Sequence, residues 1–125
     1  MPRMAKKKQA AWVKAHKEER YGYHFASGAE VKFADSLQSQ LIAQEIAGWA
    51  YEPLVFQLAV NGVHICRYTP DFLINHLDGT DEIIEVKGFW RPDAKLRVKL
   101  FMALNPRYTF RVVGTPMDRR KKKEK

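Results

Sequence analysis

Residues 68–88 read YTPDFLINHLDGTDEIIEVKG, and the fold turns on them. Asp78-Gly79 is a turn signal between two apolar runs. Glu82 to Lys87, EIIEVK, has the β-branched density of a strand with apolar neighbours, which predicts a central one. Glu85 and Lys87 stand two apart, so their side chains share one face of that strand. The turn folds the strand carrying Asp71 back beside it, and Asp71 then faces Glu85 across the pair.

Working outward, Asn61-Gly62 is a strong two-residue hairpin signal. Residues 54–60, LVFQLAV, form its first strand, and the return strand runs from Val63 through Tyr68 to Asn75. Downstream, Gly88 ends the EIIEVK strand and Pro92-Asp93 opens a helix over 92–104. Leu96, Leu100, Ala103 and Leu104 keep helical spacing in it, and Asn105-Pro106 stops it. Residues 108–113, YTFRVV, supply a last strand. Upstream, Ser27 and Glu30 have the spacing of a capping box. They open a helix over 28–46 with Phe33, Ala34, Leu37 and Leu41 on one stripe and Gly48 as its stop. Residues 5–20 contain helix formers without Gly or Pro and predict a marginal helix with Trp12 as its large aromatic. The order is αβββαβ, an α/β (α+β) chain with a mixed central sheet flanked by helices.

The chain has 125 residues and a formal net charge of +8. Residues 1–20 hold seven basic and two acidic side chains, and 118–125 hold six and two. The stretch 21–117 holds nine basic and ten acidic. The positive excess therefore lies in the ends. This divides the chain into a basic N-terminal arm (1–20), a body (21–117) and a basic C-terminal tail (118–125) expected to be disordered. Such ends suit a polyanion. One cysteine, Cys66, excludes a disulfide framework and a Cys-rich zinc site, and its apolar setting predicts a buried thiol. No run approaches the length of a membrane span, and no apolar signal-peptide core follows the basic start. His16, His24, His64 and His76 show no metal-ligand spacing, and no phosphate loop or nucleophile elbow is present.

The chemistry sits in Asp71, Glu85 and Lys87. Two converging carboxylates make a hard-oxygen site suited to Mg²⁺. A lysine beside them can orient a water or stabilise charge on a phosphoryl centre. A like-charged pair at Lys95 and Lys99, i,i+4 on the second helix, makes sense beside a phosphate or on a solvated face. Arg91 and Arg97 can join them. Trp90 is placed either to stack on a base or to pack, and Gln57 could reach the site from the hairpin.

Pro70-Asp71, thirteen residues, then Glu85-Val86-Lys87 resembles the PD-(D/E)XK signature of metal-dependent nucleases, and the αβββαβ order is that superfamily's restriction-endonuclease-like core. The resemblance covers about residues 25–113 and is nearest to small phage-encoded nucleases, Holliday-junction resolvases among them. It implies Asp71, Glu85 and the Val86 carbonyl as ligands to Mg²⁺, with Mn²⁺ able to substitute. It gives Lys87 the water or the scissile phosphate. It also implies that Glu30, on the first helix, joins the catalytic and metal site beside its capping role.

The expected activity is Mg²⁺-dependent endonucleolytic cleavage of DNA, foremost of four-way or other branched DNA, by a homodimer in the cytoplasm of a bacterial host. Lys6, Lys7, Lys8, Arg91, Lys95, Arg97, Lys99, Arg119 and Arg120 are the expected DNA-binding residues. A nicking, restriction-like or repair nuclease uses the same residues, and a non-catalytic nucleic-acid-binding module keeps the same fold. No amphipathic helix supports a membrane-surface role.

Overall fold

The structure is a computed structural model that describes residues 18–118. The described residues divide into two compact units, with the boundary between residues 39 and 40.

The first unit opens with a hairpin of β1 (Glu18–Arg20) and β2 (Tyr23–Phe25). Tyr21 and Gly22 turn it with φ of 56° and 87°, the left-handed pair of a tight hairpin turn. Residues 18–20, expected at the end of a helix, are therefore strand; the rest of that expected helix lies outside the described residues. The hairpin turn and the cross-strand partners of 23–25 outweigh the helical propensity of Glu-Glu-Arg. Asp35 accepts hydrogen bonds from Tyr21 Oη at 2.6 Å and Arg20 Nη1 at 2.7 Å. The Tyr21 bond, then the Arg20 bond, hold its carboxyl below the usual range.

Helix α1 (Gly28–Ile42) begins with the expected capping box: Glu30 N donates to Ser27 Oγ at 3.2 Å, and Ala26 N donates to Glu30 Oε1 at 3.0 Å. It stops four residues before the expected end. Gln44 takes φ of 61°, with Gln44 N bonded to Leu41 O and Glu45 N to Gln40 O. That is a Schellman stop built on a glutamine rather than a glycine. Gly48 is thus not the helix stop but the first residue of a strand.

The second unit is built on a four-stranded sheet of β3 (Gly48–Tyr51), β6 (Phe72–Asn75), β7 (Asp81–Lys87) and β8 (Thr109–Gly114), in that order. The first two pairings are antiparallel and β7–β8 is parallel, so the sheet is mixed. A parallel pair needs a crossover, and helix α2 (Pro92–Leu104) supplies it. Its bounds match the expected ones because Pro92 is at N1 and Asn105 caps the other end by donating to Phe101 O. The chain is mixed α and β.

The hairpin of β4 (Phe56–Val60) and β5 (Val63–Tyr68) forms its own two-stranded ribbon. Asn61 and Gly62 turn it with φ of 51° and 80°. The expected strand over 54–60 forms at Phe56–Val60 but pairs only with β5, outside the four-stranded sheet, and the expected 63–75 strand is two strands. Pro70, which has no N–H to donate, sits at the break. The ribbon is inserted between β3 and β6, so the described elements run ββαβββββαβ rather than the expected αβββαβ.

Both faces of the sheet are apolar. Tyr51, Phe72, Ile74 and Ile84 are buried on one side. On the other, Ile83 joins a cluster with Leu58 and Tyr68 of the ribbon and Ala94, Val98 and Phe101 of α2. Phe101 lies 4.8 Å from Phe56 and 4.9 Å from Tyr68 between ring centroids, which clamps the ribbon to the helix.

At the far end of β7, Glu82 accepts hydrogen bonds from His76 Nε2 and Arg111 Nε, each at 2.8 Å. Burial pushes its carboxyl up, but the Arg111 and His76 bonds outweigh burial and hold it below the ordinary glutamate value. A depressed carboxyl adds stability above its unfolded-state pKa, and that gain fades as pH falls through the folded value. Glu82→Gln should lower Tm at neutral pH, with a deficit that shrinks in acid. A deficit that stays constant with pH in a melting series would contradict this.

Gly114 has φ of +109°, and a Cβ there would lie 2.3 Å from Lys87 O. Gly114→Ala should destabilise the fold by at least about 2 kcal/mol, read as a Tm loss on the order of 5–10 °C. An unchanged melting curve would show that the β7–β8 crossing has more slack than this contact allows.

Candidate active site

Three elements of the second unit meet around one cleft of about 630 Å³. The ribbon contributes Cys66, Arg67 and Tyr68, the sheet Asp71, Glu85 and Lys87, and α2 Ala94, Arg97 and Val98. The two phrases quoted from the sequence therefore meet in space.

The register explains why. Phe72 pairs with Ile84 across β6 and β7. One step further, where the ladder ends, Asp71 comes level with Glu85, and opposed residues of an antiparallel pair share a face. Asp71 is held there by two bonds. Its Oδ2 accepts from Val86 N at 2.7 Å, and its carbonyl accepts from Glu52 N at 2.8 Å. Where the strand has stopped, the side chain takes over a backbone acceptor's role.

Glu85 is buried, its side chain only 7% exposed, and a buried carboxylate needs partners. Tyr68 Oη donates to its Oε1 at 2.5 Å, and Lys87 Nζ lies 3.6 Å from its Oε2. Burial, and then the negative charge of Glu85, push the Tyr68 phenol far above its usual value. Tyr68 therefore keeps its proton and acts as a donor, not a base. Lys87 also stands over the Trp90 ring, 5.3 Å from its centroid. Its ammonium is thus fixed between a carboxylate and an aromatic face.

The donor set fits a hard divalent cation. Asp71 and Glu85 line the same cleft, and Mg²⁺ is commonly bound by one or two carboxylates with waters and substrate phosphate completing its shell. Among the described residues no group of three His, Cys, Asp or Glu side chains gathers. Glu30 belongs to the other unit, is buried, and is engaged in the α1 capping box.

Other expectations fall differently. Trp90 is a packing residue: it is buried, and its Nε1 donates to Thr115 O at 2.8 Å. Gln57 is bonded to His64 on the outside of the ribbon. Cys66 is half-buried at the cleft rather than buried in the core. Lys95 and Lys99 do lie on one helix face, but the Asp118 carboxylate bridges them at 3.9 and 3.4 Å. Arg97 and Arg91 both approach Asp93, at 3.3 and 3.7 Å. Lys6, Lys7, Lys8, Arg119 and Arg120 lie outside the described residues.

Among the cleft residues that the sequence did not single out are Tyr68 and Arg67. Tyr68 stands in the quoted stretch, and its position two after Cys66 signals an inward side. Its partnership with Glu85, however, depends on ribbon and sheet closing together. Arg67 carried no signal beyond its charge, yet it lines the cleft.

Tyr68→Phe removes the hydrogen bond to Glu85 and keeps the ring. It should cost about 1.5–3 kcal/mol, the usual worth of a hydrogen bond to a charged group. Urea unfolding checks this, and a loss under ~0.5 kcal/mol would mean that Glu85 finds another donor.

A family model described as a protein of unknown function (DUF1064) matches residues 11–117. No curated protein and no solved structure matches the sequence. The matched segment spans far more than half of the 125 residues, so the chain belongs to the DUF1064 family.

Proposed function

We propose that the protein is a Mg²⁺-dependent endodeoxyribonuclease on a restriction-endonuclease-like core, acting on branched DNA such as a four-way junction. One observation carries the reading: Asp71, Glu85 and Lys87 share a cleft in which Lys87 stands 3.6 Å from Glu85. Carboxylates in a cleft repel a phosphodiester unless a cation offsets them, and phosphodiester hydrolysis is the chemistry for which such a cation is useful.

Asp71, Glu85 and the Val86 carbonyl would hold the ion. When bound, Mg²⁺ neutralises phosphate charge and lowers the pKa of a coordinated water. The chain's own residues do the rest. Lys87, steadied by Glu85 and Trp90, orients the attacking water or meets the charge on the phosphate. Tyr68 keeps Glu85 in place. Arg67 and Arg97 line the cleft and supply guanidinium donors for the phosphate backbone. The Val86 N–H bond keeps Asp71 from swinging out of line.

The cations around the cleft suit recognition of shape through backbone contacts. A junction presents two related strands to cut, so the activity calls for a homodimer. Among the described residues no helix is long and apolar enough to cross a membrane. We place the activity in the cytoplasm of a bacterial host, as the phage resemblance implies.

Purified protein should cut a four-way junction with Mg²⁺ or Mn²⁺ and not in EDTA. Asp71→Asn and Glu85→Gln should each lower the rate by at least about 10²-fold, a loss of the size seen for a single electrostatic group, while junction binding persists in a mobility shift. Faster cutting of linear duplex or flaps would remove the junction preference and leave a nuclease. Undiminished cutting in both variants would place the chemistry elsewhere. Binding without cutting at any metal concentration would leave a nucleic-acid-binding module.

A further inference from the structure

The loop from β7 to α2 carries two adjacent aromatics with opposite fates. Trp90 is 7% exposed and Phe89 is 74% exposed. Among the described residues of the second unit, the other exposed large apolar side chains are all aliphatic, and Phe89 is the aromatic that stands furthest into water. Exposing a phenylalanine forgoes roughly 1.5–3 kcal/mol of burial, while the residue beside it is well packed.

The loop is also held on both sides of Phe89. Thr115 N donates to Lys87 O at 2.8 Å, Thr115 Oγ1 donates to Gly88 O at 2.9 Å, and Trp90 Nε1 donates to Thr115 O at 2.8 Å. One threonine thus ties the three residues that flank Phe89. The backbone under the ring is fixed, and binding there costs little ordering entropy.

Its place matters equally. Phe89 follows the cleft lysine, Lys87, by two residues, a reach of at most about 7 Å along the chain. Nucleotides along one strand advance by about 3.4 Å each. The backbone carrying the ring is thus no more than about two nucleotide steps from the backbone of Lys87. Arg91, exposed two residues further on, adds positive charge on the other side.

We propose that Phe89 is a base-stacking residue that selects nucleic acid with unpaired or easily unstacked bases beside the cut site. The inference rests on the nucleic-acid reading of the cleft and names what that cleft prefers. A π face accepts any base, so the selection is for accessible bases rather than for sequence. A base in continuous duplex is covered by its neighbours, whereas one at a branch, gap or single strand can be offered to the ring. Structure selectivity then needs no separate reading domain.

The test measures binding in EDTA, where nothing is cut, with three fluorescein-labelled DNAs: a single strand, the matching duplex and a four-way junction. Phe89→Ala should weaken single-strand and junction binding by roughly tenfold, the range for one lost stacking contact. Duplex binding should change less than about twofold, since phosphate contacts remain. Phe89→Trp should restore the preference. Because the side chain is exposed, these variants should melt with the wild type. Equal losses on all three DNAs, or no loss, overturn the proposal. So does a Phe89→Ala protein that sediments as a smaller species than the wild type, because the ring is then a contact between copies. Failure of the nuclease reading shows itself separately, as absent cleavage with metal despite a Phe89-dependent preference. Metal-dependent cleavage with Phe89-indifferent binding removes this proposal alone.

Discussion

The bond from Val86 N–H to the Asp71 carboxylate is the constraint on which the cleft depends. The β6–β7 ladder ends at the Phe72–Ile84 pair because the chain must turn at Pro70 toward the ribbon. An N–H left over at the end of a half-buried strand needs an acceptor. Asp71 supplies it from its side chain at 2.7 Å. The same bond that closes the sheet aims a carboxylate into the cleft and tethers Val86, the residue whose own carbonyl is the expected third ligand. A structural duty and a chemical one thus rest on one residue. An isosteric amide at 71 keeps an acceptor for Val86, whereas alanine removes both roles at once, so only the amide variant separates chemistry from folding.

A second constraint follows from burial. Glu85 lies on a strand flanked by Ile83 and Ile84, each fully buried. Its environment must offset the cost of taking a carboxylate out of water, and the Tyr68 phenol and the Lys87 ammonium contribute to this. Neither partner is independent of the scaffold. Tyr68 arrives on the ribbon, which α2 holds by the Phe56–Phe101–Tyr68 ring contacts. Lys87 is held over Trp90, which is bonded to the segment after β8. The ribbon, the crossover helix and the last strand therefore all bear on the position of one carboxylate. Packing errors far from the cleft should be felt in it.

How much of this was legible depended on whether the determinant was local. Pro92 and Asn105 bound α2 by chemistry within a turn of each end, and Asn61-Gly62 fixes a hairpin by its own dihedral angles. Both could be read directly. The strand Gly48–Tyr51 could not, because its reason for existing is the pairing of Trp49 with Ile74, twenty-five residues away. Within the sequence it looks like the end of a helix. The site followed the same rule. Asp71, Glu85 and Lys87 were found because strand parity and one turn place them. Tyr68 and Arg67 were missed because the ribbon's approach to the sheet is a tertiary fact. The pair Phe89-Trp90 is the sharpest case: nothing in two adjacent aromatics says which is buried. The answer comes from Thr115, whose carbonyl takes the indole N–H and leaves phenylalanine outside.

The charges on α2 change meaning in the same way. Lys95 and Lys99 repel one another at i,i+4, and the sequence offers a phosphate as one remedy. The structure contains another, the Asp118 carboxylate within 4 Å of both ammonium groups. These ion pairs are exposed, and such pairs are worth ~1 kcal/mol or less. A polyanion can therefore displace Asp118 at small cost, more readily at low salt where the phosphate field is strong. On the proposed nucleic-acid reading, Asp118 relieves the helix when no polyanion is present and yields when one arrives. The lysines are held ready rather than consumed. Arg67 differs from them in being a residue of the cleft lining itself. Affinity on α2 and positioning in the cleft are then separate tasks, carried by different cations, and a change in ionic strength acts mainly on the first.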